Sequence, residues 1–195
     1  MAREVLIIGG GIAGVQAALD LAEAGAKAII VENTPAIGGI MAALDKNFPT
    51  LDCSICIEGP KLSEVDSHPN IELLSNAEVI NVEGEPGNFN VTIRQKPRFV
   101  DSECTRCSDC VDPCPVILPN KFDSDMAARK AIYTPFSQAV PGEFVIDIES
   151  CLNEPPIYLP CSRCMDACKP EVISFDDYLP KDITKNVAYY FIHRF

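Results

Sequence analysis

Twelve consecutive residues constrain this chain more than any others: Cys104-Thr105-Arg106-Cys107-Ser108-Asp109-Cys110-Val111-Asp112-Pro113-Cys114-Pro115. Their spacing is C-x2-C-x2-C-x3-C-P. Three thiolates this close in sequence wrap one corner of a [4Fe–4S] cube, while the fourth turns away to ligate a second cluster. Pro115 ends the loop, because its ring neither continues a helix nor donates a ladder hydrogen bond. Structural zinc also takes C-x2-C pairs, but it gathers four ligands in two such pairs around one ion. The tight triple followed by Cys-Pro suits iron–sulfur chemistry better. A chain organised around it handles electrons.

A stretched copy lies downstream, Cys151-x9-Cys161-x2-Cys164-x3-Cys168-Lys169-Pro170, with Pro155-Pro156 in the widened loop. The internal symmetry of two-cluster ferredoxins pairs the two runs crosswise. Cys104, Cys107, Cys110 and Cys168 are then expected on one cluster, and Cys151, Cys161, Cys164 and Cys114 on the other. The displaced Cys151 keeps a three-iron centre open as the alternative to a second cube. Residues 101–178 are therefore expected to form an inserted α+β ferredoxin-like unit with two [4Fe–4S] clusters.

The N-terminal hundred residues have a different character. Glu4-Val5-Leu6-Ile7-Ile8 is a short apolar run, followed at once by Gly9-Gly10-Gly11-Ile12-Ala13-Gly14 and then by apolar residues at helical spacing up to Gly25. Ala28-Ile29-Ile30-Val31-Glu32 reads as a second buried strand. Strand, G-x-G-x-x-G, helix, strand and acid make the βαβ dinucleotide fingerprint in its required context. Gly9 permits the tight turn, Gly11 lets the backbone approach a pyrophosphate at the helix N-terminus, and Gly14 lets helix and strand pack closely. Glu32 is placed to accept a hydrogen bond from a ribose hydroxyl. The element from Glu32 to Gly38-Gly39 has the E-x5-G-G form of FAD-binding flavoproteins, where the second glycine pair follows the diphosphate, so FAD is favoured over NAD. Further on, a helix is expected over 59–66, a strand over 71–74, and a hairpin of strands 78–83 and 88–94 around Pro86-Gly87.

Charge narrows the partners. Sixteen Lys and Arg face 28 Asp and Glu, a net charge of −12. That argues against nucleic acid, which needs a basic stripe to displace counterions, and against an anionic membrane surface. Met1 leads within two residues into the first strand, leaving no room for a signal peptide, and no apolar run approaches the ~20 residues of a membrane span. A soluble cytoplasmic protein without direct membrane insertion is expected, with its cysteines used as ligands or in catalysis and not in structural disulfides.

Cys53 and Cys56 stand apart, in a C-x-x-C within the nucleotide-binding part. Three readings stay open: a redox dithiol and hence a catalytic pair, ligands to a cluster completed elsewhere, or a buried pair of small hydrophobes. His68 and His193 have no partner visible in the sequence.

Several stretches together resemble the flavin- and iron–sulfur-carrying A-type chain of heterodisulfide reductase: Val5 to Gly14, Glu32 to Gly39, Asn47-Phe48-Pro49-Thr50-Leu51-Asp52-Cys53-Ser54-Ile55-Cys56, His68-Pro69-Asn70-Ile71-Glu72-Leu73, Pro86-Gly87-Asn88-Phe89, and Lys130-Ala131-Ile132-Tyr133-Thr134-Pro135-Phe136-Ser137-Gln138-Ala139-Val140-Pro141. The likeness runs almost continuously from residue 3 to about 178. It implies FAD on a thioredoxin-reductase-like fold, with Val79 beside the adenine, and an inserted two-cluster unit. It also implies partners: other heterodisulfide reductase-type subunits, with ferredoxin, hydrogenase or a formate-oxidising enzyme exchanging electrons. Bifurcation, where that family performs it, happens at this flavin. The flavin-carrying component of quinone-interacting oxidoreductases is the nearest alternative. Where the family returns through a strand ending in Ala-Thr-Gly, this chain has Asn186-Val187-Ala188-Tyr189-Tyr190-Phe191-Ile192-His193-Arg194-Phe195. The expectation is thus a Rossmann-type FAD domain over 1–100, the insert over 101–178, and a return segment over 179–195 that leaves the fold incomplete, as in a split or truncated family member. The rival from another class is a non-catalytic electron-wire or assembly module that does not bind FAD alone.

Overall fold

The computed structural model describes residues 4–154, 160–176 and 178–192. The chain divides into two compact units. The first takes the residues up to Lys96, Gln138–Pro141 and those from Leu179 on; the second takes Pro97–Ser137 and Gly142–Tyr178. Gln138–Pro141 thus rejoins the first unit, although it lies inside the stretch 101–178 expected as one insert. There Ile37 donates its N–H to the Val140 carbonyl at 2.8 Å.

In the first unit, β1 (Glu4–Ile8) and β2 (Lys27–Val31) lie parallel, joined by helix α1 (Ile12–Glu23). Gly14, Val15, Ala18, Leu19 and Ala22 form the buried stripe of α1, the spacing that puts one helical face on a sheet. Fully burying Val15 and Leu19 contributes roughly 1.5–3 kcal/mol each. The helix stops at Gly25, whose φ of +83° is the left-handed turn a Cβ disfavours. Helix α2 (Ser54–Ser67) leads into β3 (Ile71–Leu74), parallel to β2. A hairpin follows, β4 (Ala77–Glu85) and β5 (Asn88–Gln95), turning at Pro86-Gly87.

The segment from 179, expected as an incomplete return, supplies two strands over the described residues. Strand β6 (Lys181–Val187) pairs antiparallel with β5, and β7 (Tyr189–Ile192) lies parallel to β1, Val5 facing Tyr189 and Ile8 facing Ile192. The sheets are therefore β7-β1-β2-β3 and β6-β5-β4. Pairing beside β1 requires backbone groups and β-forming side chains, which Tyr-Tyr-Phe-Ile supplies without the family's Ala-Thr-Gly ending. His193 lies outside the described residues. Leu6, Ile29 and Val31 from one sheet and Val91, Ile93 and Val187 from the other share one core.

Helix α2 begins five residues before the expected start. Gly59-Pro60 reads as a break, yet Pro60 sits inside the helix, and the chain starts it earlier with Cys53 as N-cap, whose Sγ accepts from the Cys56 N–H at 3.3 Å. The buried stripe of α2 contains Ser54, Glu58, Leu62 and Val65. Glu58 is fully buried, and neither of its carboxylate oxygens has a hydrogen-bond partner among the described residues. Burial pushes its carboxyl up to about 7. An acid whose pKa is raised by folding binds more protons in the native state between its unfolded and folded values. Stability should therefore fall as pH rises from about 4.5 to about 7 and level off above. Glu58→Gln should remove that slope and raise stability at pH 8 by ~1–3 kcal/mol, read from urea midpoints at pH 5 and pH 8. Parallel midpoints for the two proteins across that range would contradict it.

The second unit has little regular structure. Among its described residues are the strand pairs Leu118–Pro119 with Ala128–Arg129 and Ile132–Tyr133 with Val145–Ile146, and one short helix, Arg163–Ala167. Its core holds Phe99, Val100, Ala131, Ile132, Phe144, Ile146 and Ile173 together with Cys110, Cys114 and Cys164. Thiols occupy places that other small domains fill with aliphatic side chains. Arg129 ties the region to Asp147 at 2.6 Å and lies over the Tyr133 ring, 4.0 Å from its centroid.

Candidate functional site

Two sites emerge, one in each unit. In the first, Ile8, Gly9, Gly11, Ile12, Val31, Glu32, Gly38, Gly39, Val79, Tyr190 and Ile192 surround an open crevice enclosing about 1720 Å³, mouth included. Gly9 turns the chain out of β1 at φ +110°. Gly11 is the N-cap of α1, with extended backbone and no side-chain cap, so the first-turn N–H groups of the helix are not met by a capping side chain. A Cβ at Gly11 would meet nothing within 4 Å, whereas one at Gly14 would overlap the Gly9 carbonyl oxygen. Gly38 donates its N–H to the Gly10 carbonyl at 2.8 Å, and a Cβ on Gly39, at φ +58°, would stand 3.1 Å from the Gly11 Cα. The two glycine elements lie against each other around the helix start. Open space over an uncapped helix N-terminus is a cradle for a diphosphate, with donors and dipole aimed into it. The residues present fit the phosphate part of a dinucleotide.

Glu32 does more than the sequence reading assigns to it. One carboxylate oxygen accepts the Gly10 N–H at 2.7 Å, and the other accepts both the N–H and the hydroxyl of Thr34 at 2.8 Å. It is buried and ties the glycine loop to the loop after β2. Two oxygens offer about four acceptor positions, so a ribose hydroxyl can still be bound. Gly10 is the residue that sequence reasoning missed: a Cβ there would collide with the Ile37 side chain. As the second letter of G-x-G it carries no motif signal. Tyr190 and Ile192 were missed for another reason, since the segment that carries them was expected to leave the fold open. Val79 sits at a β-bulge that shifts the register before Asn81, and its side of the strand lines the crevice.

In the second unit the eight remaining cysteines sort into two fours. Cys104, Cys107, Cys110 and Cys168 line one small cavity, with Val100, Phe144, Pro170 and Ile173. Cys114, Cys151, Cys161 and Cys164 line another, with Pro115, Val116, Ile132 and Ile146. All eight are free thiols. Burial pushes the Cys110 thiol up to about 12 and the Cys164 thiol up to about 11, and it raises Cys151 as well. Without a cation such thiols stay protonated; a bound metal deprotonates them outright. Among the described residues no three His, Cys, Asp or Glu side chains converge on a single-ion site. Four soft sulfur donors around an apolar-walled space fit a polynuclear iron–sulfur group, which the four thiolates of each set would hold. Lys130 donates its ammonium to the Cys114 carbonyl at 2.8 Å, placing a cation beside one ligand loop.

Cys53 and Cys56 are joined in a disulfide, and both are exposed at the start of α2. The buried-pair reading is thereby corrected: the N-cap position turns both sulfurs outward while Ser54 takes the buried place. His68 closes α2, and its Nδ1 accepts the Asn70 N–H at 3.1 Å, a local structural role. No helix among the described residues is long and apolar enough to cross a membrane.

Residues 4–47, which hold both glycine elements, match the family model described as FAD dependent oxidoreductase. The chain is 50% identical over 187 residues to the iron-sulfur A-type chain of a CoB--CoM heterodisulfide reductase of Methanocaldococcus jannaschii, covering 95% of this chain and 27% of the relative. It is 48% identical over 186 residues to the A-type chain of an H(2):CoB-CoM heterodisulfide,ferredoxin reductase of Methanothermobacter marburgensis, covering 95% and 27%. It is 49% identical over 146 residues to the A-type chain of an H(2)/formate:CoB-CoM heterodisulfide,ferredoxin reductase of Methanococcus maripaludis, covering 74% and 22%. The chain thus spans about a quarter of the length of the relatives it matches.

Proposed function

Over the stretch it shares with these relatives the chain belongs to the heterodisulfide reductase A-type family, and from that premise we propose that it is an electron-transfer flavo-iron–sulfur polypeptide, with FAD in the first unit and two [4Fe–4S] clusters in a ferredoxin-like second unit. One observation carries the reading. Eight thiols separated by up to 64 positions in sequence assemble into two sets of four, each with three ligands from one motif and the fourth from the other. That crossed arrangement suits two iron–sulfur clusters better than zinc, which gathers its four ligands in two C-x2-C pairs.

FAD, when bound, supplies two-electron chemistry and each cluster one-electron chemistry, which makes the pairing a converter between hydride equivalents and single electrons. The chain's own residues bind and orient. Gly9 and Gly11 with Gly38 and Gly39 would hold the diphosphate at the start of α1, Gly14 lets that helix pack against the glycine turn, Glu32 would take the ribose, and Val79 would line the adenine side. Apolar walls around the buried Cys110, Cys114 and Cys164 keep water from those sulfurs and so tune potential. The exposed Cys53–Cys56 disulfide supports the reading of that pair as a redox dithiol, in which one thiolate attacks and the other resolves. The partners are further heterodisulfide reductase-type subunits, with ferredoxin and a hydrogen- or formate-oxidising enzyme, as the relatives' names indicate for those proteins. Bifurcation at this flavin belongs to the same proposal. The electron-wire rival drew its support from a missing strand beside β1, and β7 takes that place.

The test is anaerobic purification of the chain with quantified iron, acid-labile sulfide, zinc and flavin. About eight iron and eight sulfide per chain are expected, with one flavin bound on titration. Zinc without sulfide would sink the cluster reading, and full iron with no flavin binding would return the chain to the electron-wire class.

A further inference from the structure

The two cysteine motifs differ in one respect that the cavities do not reflect. Cys104 and Cys107 are separated by two residues, Cys151 and Cys161 by nine, yet each pair reaches the wall of its own cavity. A nine-residue spacer costs more closure entropy than a two-residue one and leaves the second sulfur free to wander. Something other than spacing must bring Cys161 back.

We propose that Asn153 is the positioning residue of the second cluster site, a side-chain clamp that restores by hydrogen bonding the short spacing the sequence lacks. Its amide donates from Nδ2 to the Cys161 carbonyl at 2.5 Å, and its Oδ1 accepts the Cys161 N–H at 2.8 Å. Both backbone groups of one ligand residue are thus held by one side chain, as a neighbouring strand would hold them. Asn153 itself is buried, with relative exposure of 9%. It is fixed in a tight turn after Cys151, where Glu154 donates its N–H to the Cys151 carbonyl at 3.0 Å. Asn153 therefore stands two positions after one ligand of the set and holds both backbone groups of another. Asparagine suits this role because it offers an acceptor and a donor in one plane; Asp lacks the donor and Ala lacks both. Pro155-Pro156 lies outside the described residues, and the clamp closes the loop from its two ends.

This inference rests on the two-cluster reading, and the experiment separates the two. The 195-residue chain is prepared anaerobically as wild type, as Asn153→Ala, as Asn153→Asp, and with residues 154–160 deleted, which turns Cys151-x9-Cys161 into C-x2-C. Iron, sulfide and the reduced-state electron paramagnetic resonance spectrum are measured for each. Wild type without iron and sulfide defeats the two-cluster reading. With about eight iron in wild type, Asn153→Ala should retain about half of the iron and sulfide, or convert one centre to a three-iron form. Asn153→Asp should fall between. In the shortened loop the spacing does the work, so adding Asn153→Ala there should leave the iron content unchanged. A full complement with unchanged spectra in Asn153→Ala overturns the inference while the cluster reading stands. So does loss of both clusters that the shortened loop does not restore, because that marks a general folding role.

Discussion

Cys164→Ser is expected to cost the chain half of its iron and sulfide, to about four of each, and to leave the other cluster spectroscopically intact. Cys164 is buried in the wall of the second cavity with Cys114, Cys151 and Cys161, and none of these lines the first. Serine offers a harder oxygen ligand in place of a soft thiolate, which suits iron–sulfur clusters poorly. Cys110→Ser should be the mirror case, removing the cluster held with Cys104, Cys107 and Cys168. Cys53→Ser should lose no iron, since that residue caps α2 in the other unit. The two cluster variants should also loosen the second unit. Its core has cysteines where a small domain wants aliphatic packing, and its regular elements are too short to hold alone, so ligand binding is folding energy there. Limited proteolysis should cut within 97–178 faster in either variant than in Cys53→Ser. Equal iron loss from both sets on replacing one ligand would mean that the sets are not separate.

Much of this was legible because its signals are local or carried by chemistry that tolerates no substitution. The βαβ element from Glu4 to Val31 is announced by apolar runs and glycines within thirty residues, and the two fours of cysteine follow from the crossed pairing of two repeated motifs. Three features were hidden, each by a competing effect. Gly59-Pro60 looks like a helix boundary, but Cys53 supplies an N-cap five residues earlier and the tertiary fit of Ser54, Glu58 and Leu62 carries α2 through the proline. Tyr189–Ile192 lacks the Ala-Thr-Gly ending that the resemblance leads one to expect, yet strand pairing reads backbone and β-propensity, not the identity of the closing residues. The roles of Gly10, Glu32 and Asn153 as internal ties depend on side-chain contacts 22, 22 and 8 positions away, which neither periodicity nor motif spacing reports.

Gly11→Val and Gly14→Ala should separate a glycine kept for a ligand from one kept for the fold. Gly11 has φ −73° and ψ 176°, extended backbone that any residue adopts, and a Cβ there meets no protein atom within 4 Å. Neither conformation nor packing within the chain asks for glycine at this position. The open space lies over the first-turn N–H groups of α1, so branched methyls would stand where the diphosphate sits. Displacing it loses charge-assisted hydrogen bonds worth ~1.5–3 kcal/mol each. Two such bonds amount to roughly two to four decades of affinity at ~1.4 kcal/mol per decade. Gly11→Val should thus lose flavin binding by at least a factor of about 100 while its urea midpoint and iron content match wild type. Gly14 is the opposite case. Its Cβ would run into the Gly9 carbonyl oxygen, which is backbone and cannot swing aside, so α1 must back away from β1. Overpacking of that kind costs ~1–3 kcal/mol of stability. Gly14→Ala should therefore shift the unfolding midpoint of the flavin-free protein, which Gly11→Val leaves in place. Flavin titration and urea unfolding of both variants read the two effects independently. A Gly11→Val chain that binds flavin as wild type does would remove the diphosphate from this crevice.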